Sequence, residues 1–162
     1  MTDLNYRIQT LTGEEARQIL NWRYQPPYDF YNPPKNDPDK LLIKEFLNPG
    51  HGFHGVRDDQ NRFVGFCSFG LDGRLLGGQY DEDAMDIGLG MKPRLTSQGK
   101  GGDFFHAIVE HATDVLRADQ LRLTVADFNI RAIKIYTRFG FKVKYQFVDL
   151  LNSVPHTIME RS

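Results

Sequence analysis

The chain has 162 residues, which at roughly 150 residues per domain reads as a single domain, 1–162. Hydrophobic residues make up 40% and charged residues 25%, enough apolar mass for a sizeable core and too much for a disordered or fibrous chain. With 20 Lys and Arg against 21 Asp and Glu the net charge is −1, which offers no electrostatic footprint for nucleic acid or an anionic membrane.

One cysteine, Cys67, excludes an internal disulfide and a Cys-based zinc site, and fits a reducing compartment. No histidine cluster has metal spacing, so no metal site is expected. The N-terminus from Met1 to Arg7 shows no basic region followed by an apolar stretch, and no run approaches the roughly 18 to 20 apolar residues of a spanning helix. A soluble cytoplasmic protein is expected.

In chain order, Tyr6 to Leu11 reads as a short strand and Glu14 to Arg23 as a helix. From Trp22 to Pro34, four prolines and five aromatics in thirteen residues exclude a regular helix and suggest an ordered, aromatic-walled loop. A second helix is expected from about Asp39 to Leu47, with Asp37 as N-cap ahead of Pro38. His51 to Arg57 and Arg62 to Phe69 are β-like runs joined by the hairpin signal Asp58-Asp59-Gln60-Asn61. Leu71 to Asp83, with three glycines and a closing acidic group, reads as a loop. Met85 to Met91 alternates Met85, Ile87, Leu89 and Met91 with Asp86, Gly88 and Gly90, a strand with one nearly bare face. Helical spacing returns from Gly102 to Leu116, followed by a strand at Leu121 to Ala126, a helix at Asn129 to Phe139, and strands at Phe141 to Leu150 and His156 to Glu160. The pattern is a mixed α/β domain.

Asp86-Ile-Gly-Leu-Gly-Met-Lys-Pro93, followed by Gln98-Gly99-Lys100-Gly101-Gly102 and a helix, combines a strand, a glycine-rich turn and a helix N-terminus. Glycine lets the backbone come close to a ligand, and the unpaired N–H groups of a first helical turn attract anions. The turn is neither a Walker loop nor the dinucleotide fingerprint. A second segment runs from Leu121 through Asn129, Ala132 and Tyr136 to Gly140-Phe141, with Asn129 and Tyr136 seven apart on one helical face.

Together these segments resemble the GNAT superfamily of acyl-CoA-dependent N-acetyltransferases. That family carries an Arg/Gln-Gly-x-Gly-x-Gly/Ala loop after a strand ending in Pro, then strand-Asn-x-x-Ala-x-x-x-Tyr-x-x-x-Gly-Phe. Gln98-Gly99-Lys100-Gly101 and Asn129/Ala132/Tyr136/Gly140-Phe141 match in order and spacing, over about a third of the chain. Asp103 departs from it, a carboxylate where the family usually has Gly or Ala.

The resemblance implies a mostly antiparallel mixed sheet that splays after the Met85–Met91 strand, flanked by about four helices. It implies acetyl-CoA as cofactor and CoA as product, with the pantetheine arm along Leu89, Gly90 and Met91 and the pyrophosphate on the amides of Gln98, Gly99, Lys100, Gly101, Gly102 and Asp103. Asn129 and Tyr136 complete the cofactor site, and Tyr136 is the expected general acid at the sulfur. An amine of pKa near ~10 must lose a proton before attack, so a base is also needed. Asp86 is the first choice, with Asp83 and Glu82 as alternatives. The acceptor amine is expected against Trp22, Tyr24, Tyr28, Phe30 and Tyr31, with Asp29 holding its ammonium. Arg131, Lys134 and Arg138 read as a solvated face from which one residue reaches the CoA 3′-phosphate. The expected reaction is direct acetyl transfer to a primary amine in a ternary complex; the alternative is a non-catalytic acyl-CoA-binding regulatory module. Dimers are frequent among similar proteins, and a homodimer is compatible with this reading.

Overall fold

The computed structural model describes residues 5–80 and 84–162. Seven strands form one sheet: β1 (Arg7–Thr10), β2 (Phe53–Arg57), β3 (Phe63–Phe69), β4 (Met85–Met91), β5 (Leu121–Ala126), β6 (Lys142–Val148) and β7 (Pro155–Arg161). The four α-helices are α1 (Gly13–Leu20), α2 (Leu41–Leu47), α3 (Gly101–Glu110) and α4 (Ile130–Arg138). The spatial order is β1-β2-β3-β4-β5-β7-β6, and every neighbour is antiparallel except β4 and β5. Those two pair only at Met85–Leu121 and Asp86–Arg122, after which the sheet opens, as the resemblance implied.

Side-chain alternation assigns the two faces. Ile87, Leu121, Leu123 and Val125 pack with Phe104, Phe105 and Ile108 of α3. The opposite face of β2 and β3 packs Phe53 and Phe66 against Ala16, Ile19 and Trp22 on and after α1, and against Phe46 of α2. One pair of helices therefore covers each side. Among the described residues, no helix is long and apolar enough to cross a membrane.

The expected helix from Asp39 starts later. Asp39 and Lys40 adopt left-handed φ values of 57° and 56°, so α2 begins at Leu41. Asp37 still caps it, accepting from the amides of Leu42 (2.8 Å) and Ile43 (3.3 Å). The first helix ends at Leu20, and the third widens after Glu110 into a π-type turn over His111–Val115. His51 lies in a short turn before β2, because Gly52 takes a left-handed φ of 68°.

Candidate active site

Where β4 and β5 part, a cavity of about 950 Å³ opens between the aromatic loop, the glycine-rich turn and α4. Ser97 (φ 61°) and Gly99 (φ 75°) turn the chain sharply before α3. No hydrogen bond among the described residues is donated by the backbone amides of 97–103, so these donors are available to an anion. The left-handed φ favours glycine at Gly99, while Gly101 and Gly102 sit close to movable side-chain ends of α4. A Cβ on Gly101 would stand 2.9 Å from Ile135 Cδ1, and one on Gly102 would stand 2.9 Å from Arg138 Nη2. Gln98 and Lys100 do not line this cavity: the Gln98 side-chain amide donates to Arg94 O at 2.8 Å, and Lys100 borders a separate one beside Asp58 and Asp59. Asp103 is exposed and outside the cavity, and together with burial its charge raises the Tyr6 phenol. The carboxylate that departs from the family pattern thus points away from the anion site. Arg131, Lys134 and Arg138, read from the sequence as a solvated face, all line the cavity and supply positive charge.

Tyr136 projects from α4 into the cavity with its ring against Phe105 (4.7 Å between centroids). Its hydroxyl makes no hydrogen bond to any described residue. Burial, and secondarily the neighbouring Tyr31, push its pKa up, so the phenol keeps its proton at neutral pH. Asn129 caps α4 through Ala132 N (3.3 Å) and donates from Nδ2 to Tyr31 Oη (3.2 Å), which ties the aromatic loop to this helix.

Tyr24, Tyr28, Phe30 and Tyr31 line the cavity. Tyr24 Oη donates to Met91 O at 2.6 Å, and burial pushes its pKa up to about 12. Arg131 stacks over Tyr28 at 3.7 Å. Trp22 reaches the cavity but is mainly a core residue, stacked on Phe63 at 5.8 Å. Asp29 is exposed and does not line the cavity; among the described residues the carboxylate that does is Asp72, paired to His51 Nδ1 at 3.2 Å.

Asp86 requires correction. Only 1% exposed, it receives Arg122 Nε (2.7 Å) and Nη2 (2.8 Å) and Arg74 Nε (2.8 Å). Two guanidiniums occupy its lone pairs, an arrangement that locks the closed end of the β4–β5 pair and does not suit a proton acceptor. The alternatives Asp83 and Glu82 lie outside the described residues. The bare face of β4 is also partly filled by protein. A Cβ on Gly90 would come within 2.4 Å of the Phe66 ring, and one on Gly88 within 2.5 Å of Ser68 Oγ. Gly90→Ala is accordingly expected to destabilise the fold by about 1–3 kcal/mol through overpacking, checked by chemical denaturation.

Over residues 14–141 the chain matches the sequence model of the Acetyltransferase (GNAT) family. The chain belongs to the GNAT family. The spermine/spermidine N(1)-acetyltransferase of Bacillus subtilis (strain 168) is 29% identical over 84 residues, 49% of this chain. The match spans about half the length (52%) of that relative. A mutant of spermidine N-acetyltransferase SpeG from Vibrio cholerae has a TM-score of 0.69 at 16% identity, covering 96% of this chain and 92% of that one. A GNAT-family acetyltransferase from Bacillus anthracis gives 0.71 at 13% identity, covering 96% and 93%. A dodecameric structure of the Vibrio cholerae spermidine N-acetyltransferase gives 0.68 at 16%, covering 96% and 92%. At these identities the structures share the GNAT fold.

Three residues of this GNAT chain that sequence reading passed over also line the cavity. Ser68 Oγ is buried without a hydrogen-bond partner, and only the β3–β4 register, which sets Ser68 opposite Gly88, reveals its position. Asp72 sat in a stretch read simply as a loop. His156 was read as a strand residue whose facing partner, Ala126, no local pattern discloses. Cys67, by contrast, is fully buried, and burial raises its thiol strongly, which leaves it inert.

Proposed function

We propose that this chain transfers an acetyl group from acetyl-CoA to a primary amine by direct attack in a ternary complex. The observation that carries this reading is the convergence, in one cavity, of Ser97, Gly99, Gly101 and Gly102, whose amides donate to no described residue, with the Tyr136 phenol, which makes no hydrogen bond to any described residue. The amides and the cations of α4 suit a pyrophosphate, and Leu89, Gly90 and Met91 border the opened strand pair where an amide-bearing arm pairs like an added strand. Tyr136, protonated at neutral pH, gives its proton to the departing sulfur.

Trp22, Tyr24, Tyr28, Phe30 and Tyr31 form the wall for the acceptor, with Asp72 as the carboxylate that meets its ammonium. The amine specificity of the Bacillus and Vibrio relatives supports polyamines as first candidates, and the aromatic wall adds arylalkylamines. Assembly into homo-oligomers belongs to the same reading, supported by the dodecameric relative, and light scattering tests it. So does residence in the reducing cytoplasm, which suits the single buried thiol.

Thermal shift with acetyl-CoA, CoA and ATP tests the cofactor. Acetyl-CoA at one hundred times its Kd is expected to stabilise the protein by about 2.7 kcal/mol, with ATP ineffective. Equal shifts from all three, or none, would overturn it. CoA release with spermidine, spermine, tyramine and benzylamine then separates an enzyme from a regulatory acyl-CoA binder.

A further inference from the structure

Acetyl transfer to an amine needs a proton acceptor on the acceptor side of the sheet, and Asp86 is engaged by arginines. Pairing and alternation locate that side. Asp86, Gly88 and Gly90 share one face of β4, and Asp86 stands beside Arg122, which puts Arg122, Thr124 and Ala126 on the same face of β5. Ala126 pairs with His156 of β7, so the His156 side chain also projects to this face, opposite the one that packs on α3. His156 lines the cavity there, its ring between Phe30 (5.9 Å between centroids) and Phe147 (5.9 Å, stacked).

The ring is held in one tautomer. Nδ1 lies 2.9 Å from Val154 O, and a carbonyl only accepts, so Nδ1 carries the hydrogen and Nε2 keeps its lone pair. Asp149 Oδ2 stands 3.5 Å from the same Nδ1. Burial alone would raise the Asp149 pKa, but the amides of Asn152, Val154 and Leu151, with His156 nearby, outweigh it and keep the carboxylate ionised. Both side chains are 3% exposed, and Nε2 makes no hydrogen bond to any described residue. Tyr31, whose hydroxyl neighbours Ala126, and Asp127, the residue after β5, which already accepts from Thr157 Oγ1 at 2.6 Å, are titratable groups beside the Ala126–His156 pair.

We propose that His156, oriented by Val154 O and Asp149, is the general base that deprotonates the acceptor amine, acting through Nε2. This rests on the acetyl-transfer reading above. His156 Nε2 takes one proton from the arriving ammonium and later returns it to solvent. The neutral nitrogen forms its bond to the thioester carbonyl carbon and the C–S bond breaks. The nitrogen's second proton replaces the one that Tyr136 gives to sulfur, and the third stays on the amide. The acid reaches the opened strands from α4 and the base from the opposite sheet face.

Two measurements test this. Long-range ¹⁵N–¹H NMR of the wild-type protein is expected to show His156 as the Nδ1–H tautomer; an Nε2–H tautomer overturns the proposal whatever the activity. With the best amine among spermidine, spermine, tyramine and benzylamine, kcat of the wild type is expected to rise with pH along an acid limb. His156→Gln is expected to lower kcat about 10²- to 10⁴-fold and abolish that limb, with the acetyl-CoA thermal shift unchanged. An active wild type with equal kcat and the same limb in His156→Gln overturns the base assignment alone. A wild type that releases no CoA with any amine overturns the acetyl-transfer reading and the base with it. Should His156→Gln not fold, the tautomer decides.

Discussion

Tyr136→Phe is expected to lower kcat by about 10²- to 10⁴-fold while leaving acetyl-CoA affinity nearly intact, because it removes one oxygen and nothing from the glycine-rich turn. The ring that packs on Phe105 remains, so stability is expected to change little. The hydroxyl has no hydrogen bond to any described residue, and its removal leaves no buried partner unsatisfied. Steady-state kinetics together with calorimetric titration of acetyl-CoA separate the two quantities. Equal losses in kcat and in affinity would assign Tyr136 to binding, and an unchanged kcat would remove it from the chemistry.

Asp86→Ala is expected to cost about 3–5 kcal/mol of stability, since it strands the Arg122 guanidinium, 1% exposed, without its bidentate carboxylate. Arg74 loses its partner too, and the Tyr80 ring, 5.0 Å from Arg122 and 5.4 Å from Arg74, offers only a weaker contact. Urea denaturation measures the loss. Asp86→Asn distinguishes scaffold from base: it retains hydrogen-bonding oxygen but no charge. An Asn variant of native stability with kcat reduced more than a hundredfold would restore Asp86 as proton acceptor.

The strand–turn–helix framework was legible because it rests on short-range rules. The bounds of β4 follow from strict alternation between Met85 and Met91, and Asn129 announces α4 as its cap. Gly99 was equally readable, since its left-handed φ favours glycine. What escaped depends on contacts between distant segments. Asp86 looked free because the partner that holds it, Arg122, stands on a strand 36 residues later that the sequence does not align with it. His156 was hidden in the same way: its face is set by pairing with Ala126, and its tautomer by a turn carbonyl two residues before it. In the left-handed pair Asp39-Lys40, Asp is a type that tolerates this region, but Lys40 carries no such signal.

The parting of β4 from β5 creates two unpaired strand edges in the middle of the molecule, a feature that sheets ordinarily confine to their margins and protect there. Tyr24 Oη satisfies Met91 O on the β4 edge, and in the acetyl-CoA reading proposed above the arm of the acyl carrier pairs with the groups left over. On that proposal the small molecule would serve as a temporary eighth member of the ladder, and the empty chain would be the form more open to solvent exchange and to unwanted association through those edges.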